Sequence, residues 1–172
     1  MKKILIISFL ITFSYSVFSL PKWQRYSVQQ LLIESAKPTT NIIGSTLAST
    51  PALLSASLSI KVIHLLKKHG TNLALTHDLL QIQQQLLHET QTDRILTKKL
   101  IHEKEESLVL KSKSLKNTKA MIQSAQELSR YANKILHYCN QHQVKHLKWY
   151  QTDLSTSILL ANCSVRSLQA YS

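Results

Sequence analysis

Asp153 is the residue whose position most suggests chemistry. It is the only acidic residue after Glu127, and it follows a lysine-containing stretch of the chain. A carboxylate held at a helix N-terminus beside basic groups can transfer a proton or bind a cationic atom of a substrate. An aspartate at the start of a helix is also a common N-cap, whose side chain accepts hydrogen bonds from the first amide groups. From the residues alone, the capping role is favoured.

The histidines are the next candidates, because imidazole is a common zinc ligand. His142 and His146 lie four residues apart and would share one face of a helix. Asp153 is the only carboxylate that follows them as a possible third ligand, and the spacings HExxH and CxxC do not occur. The glycine-rich motifs of nucleotide-binding and hydrolase sites are missing too. The sequence therefore predicts no metal site and identifies no catalytic motif.

The two cysteines, Cys139 and Cys163, leave two alternatives open. They lie on separate predicted helices, and an exported protein could join them in a disulfide. Two free thiols packed in a helical core are an equally good interpretation, because cysteine is a small apolar residue.

A strong positive charge points to anionic partners. The chain has 21 lysine and arginine residues against 9 acidic ones, a formal charge of +12. Such a field favours phospholipid headgroups, nucleic acid or a polyanionic small molecule, although it can also serve solubility alone. Aromatic residues are only 6% of the chain, and the basic residues are spread along it. No dedicated nucleic-acid module is therefore predicted.

The N-terminus has the pattern of a signal peptide. Lys2 and Lys3 precede an apolar run at residues 4–13, and the small residues Val17 and Ser19 suit a cleavage site. We expect residues 1–19 to be removed and the protein to be exported. The alternative is an uncleaved N-terminal membrane anchor.

The composition and apolar pattern of the rest of the chain, residues 20–172, predict one all-α domain. Only 2 glycines and 3 prolines occur in 172 residues, too few for a turn-rich β fold. Apolar residues recur at helical spacing. We predict a bundle of about five helices, two or three of them long. Their predicted ranges are about 27–36, 45–69, 76–110, 114–140, and from Thr152 or Asp153 to the end of the chain.

The order of these features resembles the cyclodeaminase/cyclohydrolase domain of the formiminotransferase-cyclodeaminase family. Those domains begin with a short helix, a loop of the form P-T-P-G-G-G-S, and a long helix crowded with alanine and serine. Residues 27–36, 37–45 and 46–66 are similar to these three elements in turn. The family's last helix follows a Ser-Asp pair, to which Thr152 and Asp153 are similar.

This resemblance implies chemistry on a tetrahydrofolate derivative, as substrate and without a bound cofactor. It implies Asp153 as the catalytic proton-transfer residue, and Asn41, Gly44 and Ser45 as substrate-binding residues of the loop. It also implies a homodimer formed through the long helices. A positive field would suit the anionic tail of a folate.

The chain also departs from the family pattern. Of the three loop glycines only Gly44 remains, because Ile42 and Ile43 occupy the other places. β-Branched residues adopt a positive φ only at a high energetic cost, so the loop must differ in shape. A degenerate family member is therefore expected. The alternative is a non-catalytic exported basic helical protein that binds a protein or an anionic partner, with weak association with anionic membrane surfaces as a further expectation.

Overall fold

The computed structural model describes residues 44–71, 73–102, 108–142 and 147–171. These residues form four helices and contain no strand, so the predicted all-α bundle is confirmed. The predicted first helix, residue Asn41 and the signal-peptide segment lie outside the described residues. The helices are α1 Gly44–Lys68, α2 Thr76–His102, α3 Leu108–Gln141 and α4 Leu147–Gln169.

Helix α1 agrees with its predicted range to within one residue at each end. It ends in a Schellman motif, in which the amide of Thr71 donates to the carbonyl of Leu66 and the amide of Gly70 to that of Lys67, at 3.0 and 3.1 Å. Gly70 has a φ of 84°. This left-handed conformation costs least in glycine, which explains why the helix ends there.

Helix α1 is the most apolar helix described. It is long and apolar enough to cross a membrane, yet half of the apolar stretch is buried inside the bundle, as in the core helix of a soluble protein. Its small buried residues let α4 and α2 pack closely against it. They include Ser45, Ala48, Ser49, Ala52, Ser55, Ala56 and Ser59.

The predicted helix over residues 76–110 is wrong at its C-terminal end. Helix α2 ends at His102, and α3 begins at Leu108 rather than at the predicted Ser114. The apolar pattern misled the prediction, because Ile101 and Leu108 continue the helical spacing without being buried. They are 67% and 80% exposed.

The predicted start of the last helix is also wrong. Helix α4 begins at Leu147, so Asp153 lies in its second turn and is not an N-cap. Tyr150 and Leu154, four residues apart, are both buried in the core. Their burial favours a helix that begins before Thr152, within the last residues of the segment that was predicted as a polar link.

All four helices contribute to one hydrophobic core. Helix α1 packs against α2, α3 and α4, and α3 also packs against α2 and α4. Burying a leucine side chain contributes about 1.5–3 kcal/mol relative to leaving it exposed. The fully buried large residues include Ile63, Leu66, Leu79, Leu86, Met121, Leu128, Ile135, Leu154 and Leu168.

Candidate functional site

Two carboxylates are buried on the inner face of α2. Glu89 and Asp93 are 6% and 3% exposed, and they lie four residues apart, so both occupy the stripe that Leu79, Ile82 and Leu86 begin. This stripe faces α1 and α3. Acidic residues are almost never fully buried unless other groups compensate them, so their partners decide what this part of the molecule can do.

Neutral groups surround the Glu89 carboxylate. Oε1 accepts a hydrogen bond from Gln85 Nε2 at 2.9 Å, and Oε2 accepts one from the Ser124 hydroxyl at 3.0 Å. The backbone carbonyl of Glu89 accepts from Asn117 Nδ2 at 2.7 Å. Burial raises the pKa of Glu89 above its ordinary value, and it outweighs the hydrogen bonds from Gln85 and Ser124, which lower it.

Hydroxyl groups also surround Asp93. Ser45, in the first turn of α1, donates its hydroxyl proton to Asp93 Oδ2. Ser114 on α3 lies 3.5 Å from Oδ1. One turn earlier on α2, the Thr90 hydroxyl lies 3.0 Å from that of Ser49. The two carboxylates therefore join α1, α2 and α3 through polar contacts, which hold the three helices in register.

Asp153 lies in a different part of the bundle. Its carboxylate accepts a hydrogen bond from Lys61 Nζ at 2.8 Å in an ion pair at the surface. The side chains of Lys61 and Asp153 are 52% and 21% exposed, and the ammonium also lies 5.4 Å from the ring centre of Trp149. Exposed ion pairs contribute only about 0–1 kcal/mol to stability.

The two groups of residues that the family resemblance implied do not meet within the chain. Lys61, which holds Asp153, is sixteen residues after Ser45 on the same helix, about 24 Å along its axis at 1.5 Å per residue. Gly44 faces the ring of Tyr171, which leaves no room for a Cβ atom. The tyrosine side chain and the Asp93 carboxylate thus occupy the surroundings of Gly44 and Ser45.

Neither cysteine alternative describes the structure fully: both cysteines are free thiols, but only Cys139 is buried, whereas Cys163 is exposed. Burial raises the pKa of the Cys139 thiol. Within the described residues, no group of three or more histidine, cysteine or acidic side chains could hold a metal ion, and His146 lies outside those residues.

The far end of the α2–α3 hairpin combines positive charge with exposed apolar side chains. We call its described residues, 94–102 and 108–119, the basic hairpin end. They include seven lysine and arginine residues: Arg94, Lys98, Lys99, Lys111, Lys113, Lys116 and Lys119. In the sequence, residues 103–107 between these two ranges add one lysine and three glutamates. Five large apolar side chains here are 40–80% exposed: Ile95, Ile101, Leu108, Val109 and Leu115.

A groove of about 300 Å³ lies between α2 and α3 where the basic hairpin end begins. Carbon atoms form most of its surface, and Lys113 and Lys116 are exposed at its edge. We call it the lysine-edged groove. Its lining residues are Thr92, Leu96, Lys113, Lys116, Asn117 and Ala120.

Sequence reasoning missed both features. Glu89 and Asp93 carried a usable signal, because they continue the apolar stripe of α2 at a spacing of three to four residues. The hairpin end carried a weaker signal, a run of lysines, and the break between its two helices was predicted at residues 111–113, whereas it lies between His102 and Leu108. Comparisons with protein-family models, with curated proteins and with solved structures found no match.

Proposed function

We propose that this protein is a non-catalytic helical binding protein, exported through its N-terminal segment, that binds an anionic partner at the basic hairpin end. The observation that carries the proposal is the excess of positive charge over residues 94–119, with eight basic and three acidic residues, beside exposed apolar side chains. Export rests on the signal-peptide pattern of residues 1–19 alone.

Electrostatics supports binding at this end. Lys113, Lys116 and Lys119 recur at three-residue spacing on α3, so they project from neighbouring positions. Charges within the Debye length of about 8 Å at physiological ionic strength act together on one ligand. The exposed apolar side chains beside the lysines add contact area for a partner that has apolar groups as well as negative charge.

A non-catalytic role is supported by the surroundings of the family-type residues. Asp153 is paired with Lys61 at the surface, whereas Ser45 donates to buried Asp93 about 24 Å away along α1. A proton-transfer group must lie within hydrogen-bond reach of the atom it serves. A folate site built from these residues would require groups from more than one chain.

Retention on a heparin column tests the binding proposal. We expect the double variant K99E/K116E of the chain 20–172 to elute at clearly lower salt than the wild type, because both exposed lysines belong to the basic hairpin end. The control K67E/K68E makes the same charge change at the C-terminus of α1. Equal elution of the two variants would contradict a localised site.

Titration with 5-formyl-tetrahydrofolate tests the non-catalytic part. We expect no saturable binding by the chain 20–172 and no difference for Asp153→Asn. Saturable binding that Asp153→Asn weakens would contradict this part of the proposal and support the family-type activity.

A further inference from the structure

We infer that the lysine-edged groove binds a single anionic amphiphile, a small molecule with one alkyl chain and a negatively charged head. This inference rests on the proposed function and specifies its ligand. The groove offers an apolar lining for the chain, and two of its lining residues are lysines with exposed side chains, whose positive charge favours an anionic head.

The apolar floor comes from both helices. Leu96 on α2 and Ala120 on α3 line it, and the aliphatic stems of Lys113 and Lys116 extend the carbon surface. A volume of about 300 Å³ is at the lower end of the range for small-molecule sites. It therefore suits one short alkyl chain better than a branched or polycyclic ligand.

The charged edge selects the head group. Lys113 and Lys116 are three residues apart on α3, so their side chains leave the helix at neighbouring positions on the α3 side of the groove. Ammonium groups bind carboxylate, sulfate and phosphate by charge-assisted hydrogen bonds. Asn117, between them and the floor, already donates to the carbonyl of Glu89 and so helps to hold the two helices apart at a fixed width.

A free amphiphile fits this surface better than a bilayer or a peptide helix. In the sequence, residues 103–107 between α2 and α3 hold three glutamates and one lysine, and this local negative charge opposes contact of the segment with an anionic bilayer. The groove extends along α3 only from Lys113 to Ala120, about two helical turns. A volume of about 300 Å³ is small for the several apolar anchors that a docked amphipathic helix inserts at i, i+3, i+4 and i+7.

Amide chemical shifts measured during titration with octanoate test the inference. Octanoate is used below its micelle-forming concentration, with uncharged octan-1-ol as the second probe. We expect saturable shifts centred on Thr92, Leu96 and Ala120. K113E/K116E should weaken octanoate binding about tenfold, the effect of losing a charge-assisted contact, and leave octan-1-ol binding within about threefold.

Two further variants make the test specific. Ala120→Leu fills the floor with a good helix former, so both probes should bind at least about tenfold more weakly. K67E/K68E should bind both probes as the wild type does. Because K113E/K116E alters only exposed side chains, the inference stays testable even if Ala120→Leu does not fold.

Three results would overturn the inference: no saturable octanoate binding, shifts centred elsewhere, or equal weakening by K67E/K68E. Binding to phosphatidylglycerol vesicles without binding to monomeric octanoate would also overturn it, in favour of a lipid surface. Heparin retention separates this inference from the proposed function. If octanoate does not bind while K99E/K116E still elutes early, the inference fails and the basic hairpin end remains a binding site for anions.

Discussion

At the scale of single residues, Glu89 shows how a buried carboxylate affects folding. Its hydrogen-bond donors, Gln85 and Ser124, are neutral, and desolvation raises its pKa above 4.5. The folded state therefore binds the proton more tightly than the unfolded state does. By linkage, the contribution of Glu89 to stability is largest below the unfolded pKa, and it decreases as the pH rises through the folded pKa.

Glu89→Gln should consequently stabilise the protein at neutral pH. A glutamine keeps an acceptor for Gln85 and offers Ser124 a donor, without the desolvation cost of a charge. We expect a higher midpoint of urea denaturation than that of the wild type at pH 7, and a difference that becomes small at pH 4. If Glu89→Gln stabilises the protein less at pH 7 than at pH 4, each time relative to the wild type, the assigned direction of the pKa shift is wrong.

At the scale of elements, the contact between α1 and α4 depends on hydroxyl groups. The buried Ser157 hydroxyl donates to the Ser55 carbonyl at 2.9 Å and lies 2.8 Å from the hydroxyls of Ser55 and Ser59. Ser164 accepts a hydrogen bond from the amide of Ala52, directly after Pro51. Proline removes a helical hydrogen bond and strains the preceding turn, so α4 stabilises α1 where α1 is weakest.

Ser157→Ala tests the importance of this contact. We expect the free energy of unfolding to fall by about 1–3 kcal/mol, because the variant removes a hydrogen-bond partner of the buried Ser55 and Ser59 hydroxyls. Chemical denaturation measures the change. Ser155→Ala, at an exposed position of the same helix, should change stability by less than about 0.5 kcal/mol. Equal effects of the two variants would show that the hydroxyl contacts contribute little.

The elements also show what the sequence could predict. The range of α1 was predictable because Gly70 ends the helix locally, through its own backbone conformation. The position of the break between α2 and α3 was not predictable, because Ile101 and Leu108 continue the apolar spacing although both side chains are exposed. The start of α4 was missed because Tyr150 has polar neighbours in the sequence. Its burial depends on packing against the other helices and is not visible in the local pattern.

The candidate site was harder to predict than the helices. Ser45 was identified from a loop pattern, and its partner Asp93, 48 residues away, depends on how α1 and α2 pack. Asp153 was predicted to lie at the start of a helix. Its partner in the ion pair, Lys61, is 92 residues away in the sequence and could not be predicted from local pattern. Residue type indicates which groups can do chemistry, but only tertiary packing determines which of them meet.

At the scale of the whole molecule, the predicted removal of the signal peptide changes the net charge. The signal-peptide pattern of residues 1–19 includes Lys2 and Lys3, so removing it leaves a charge of +10 on the mature chain: 19 basic and 9 acidic residues. Most of the positive charge therefore belongs to the folded part of the protein, where it can act on a partner.

Cleavage of the signal peptide is directly measurable. We expect full-length protein expressed in a bacterial host to be recovered outside the cytoplasm with Leu20 at its N-terminus, because Val17 and Ser19 suit the cleavage enzyme. Intact mass spectrometry checks this. A protein that retains Met1 in the membrane fraction would support the uncleaved anchor instead.

The most direct test of localised anion binding is the salt dependence of the dissociation constant for a heparin fragment. Each lysine that neutralises an anionic group releases a counterion, so its loss reduces the slope of log Kd against log salt by about 0.7–0.9. For K99E/K116E we predict a slope reduced by about 1.4–1.8, with weaker binding at every salt concentration, while K67E/K68E leaves the slope close to that of the wild type. Identical slopes for the two double variants would contradict binding at the basic hairpin end.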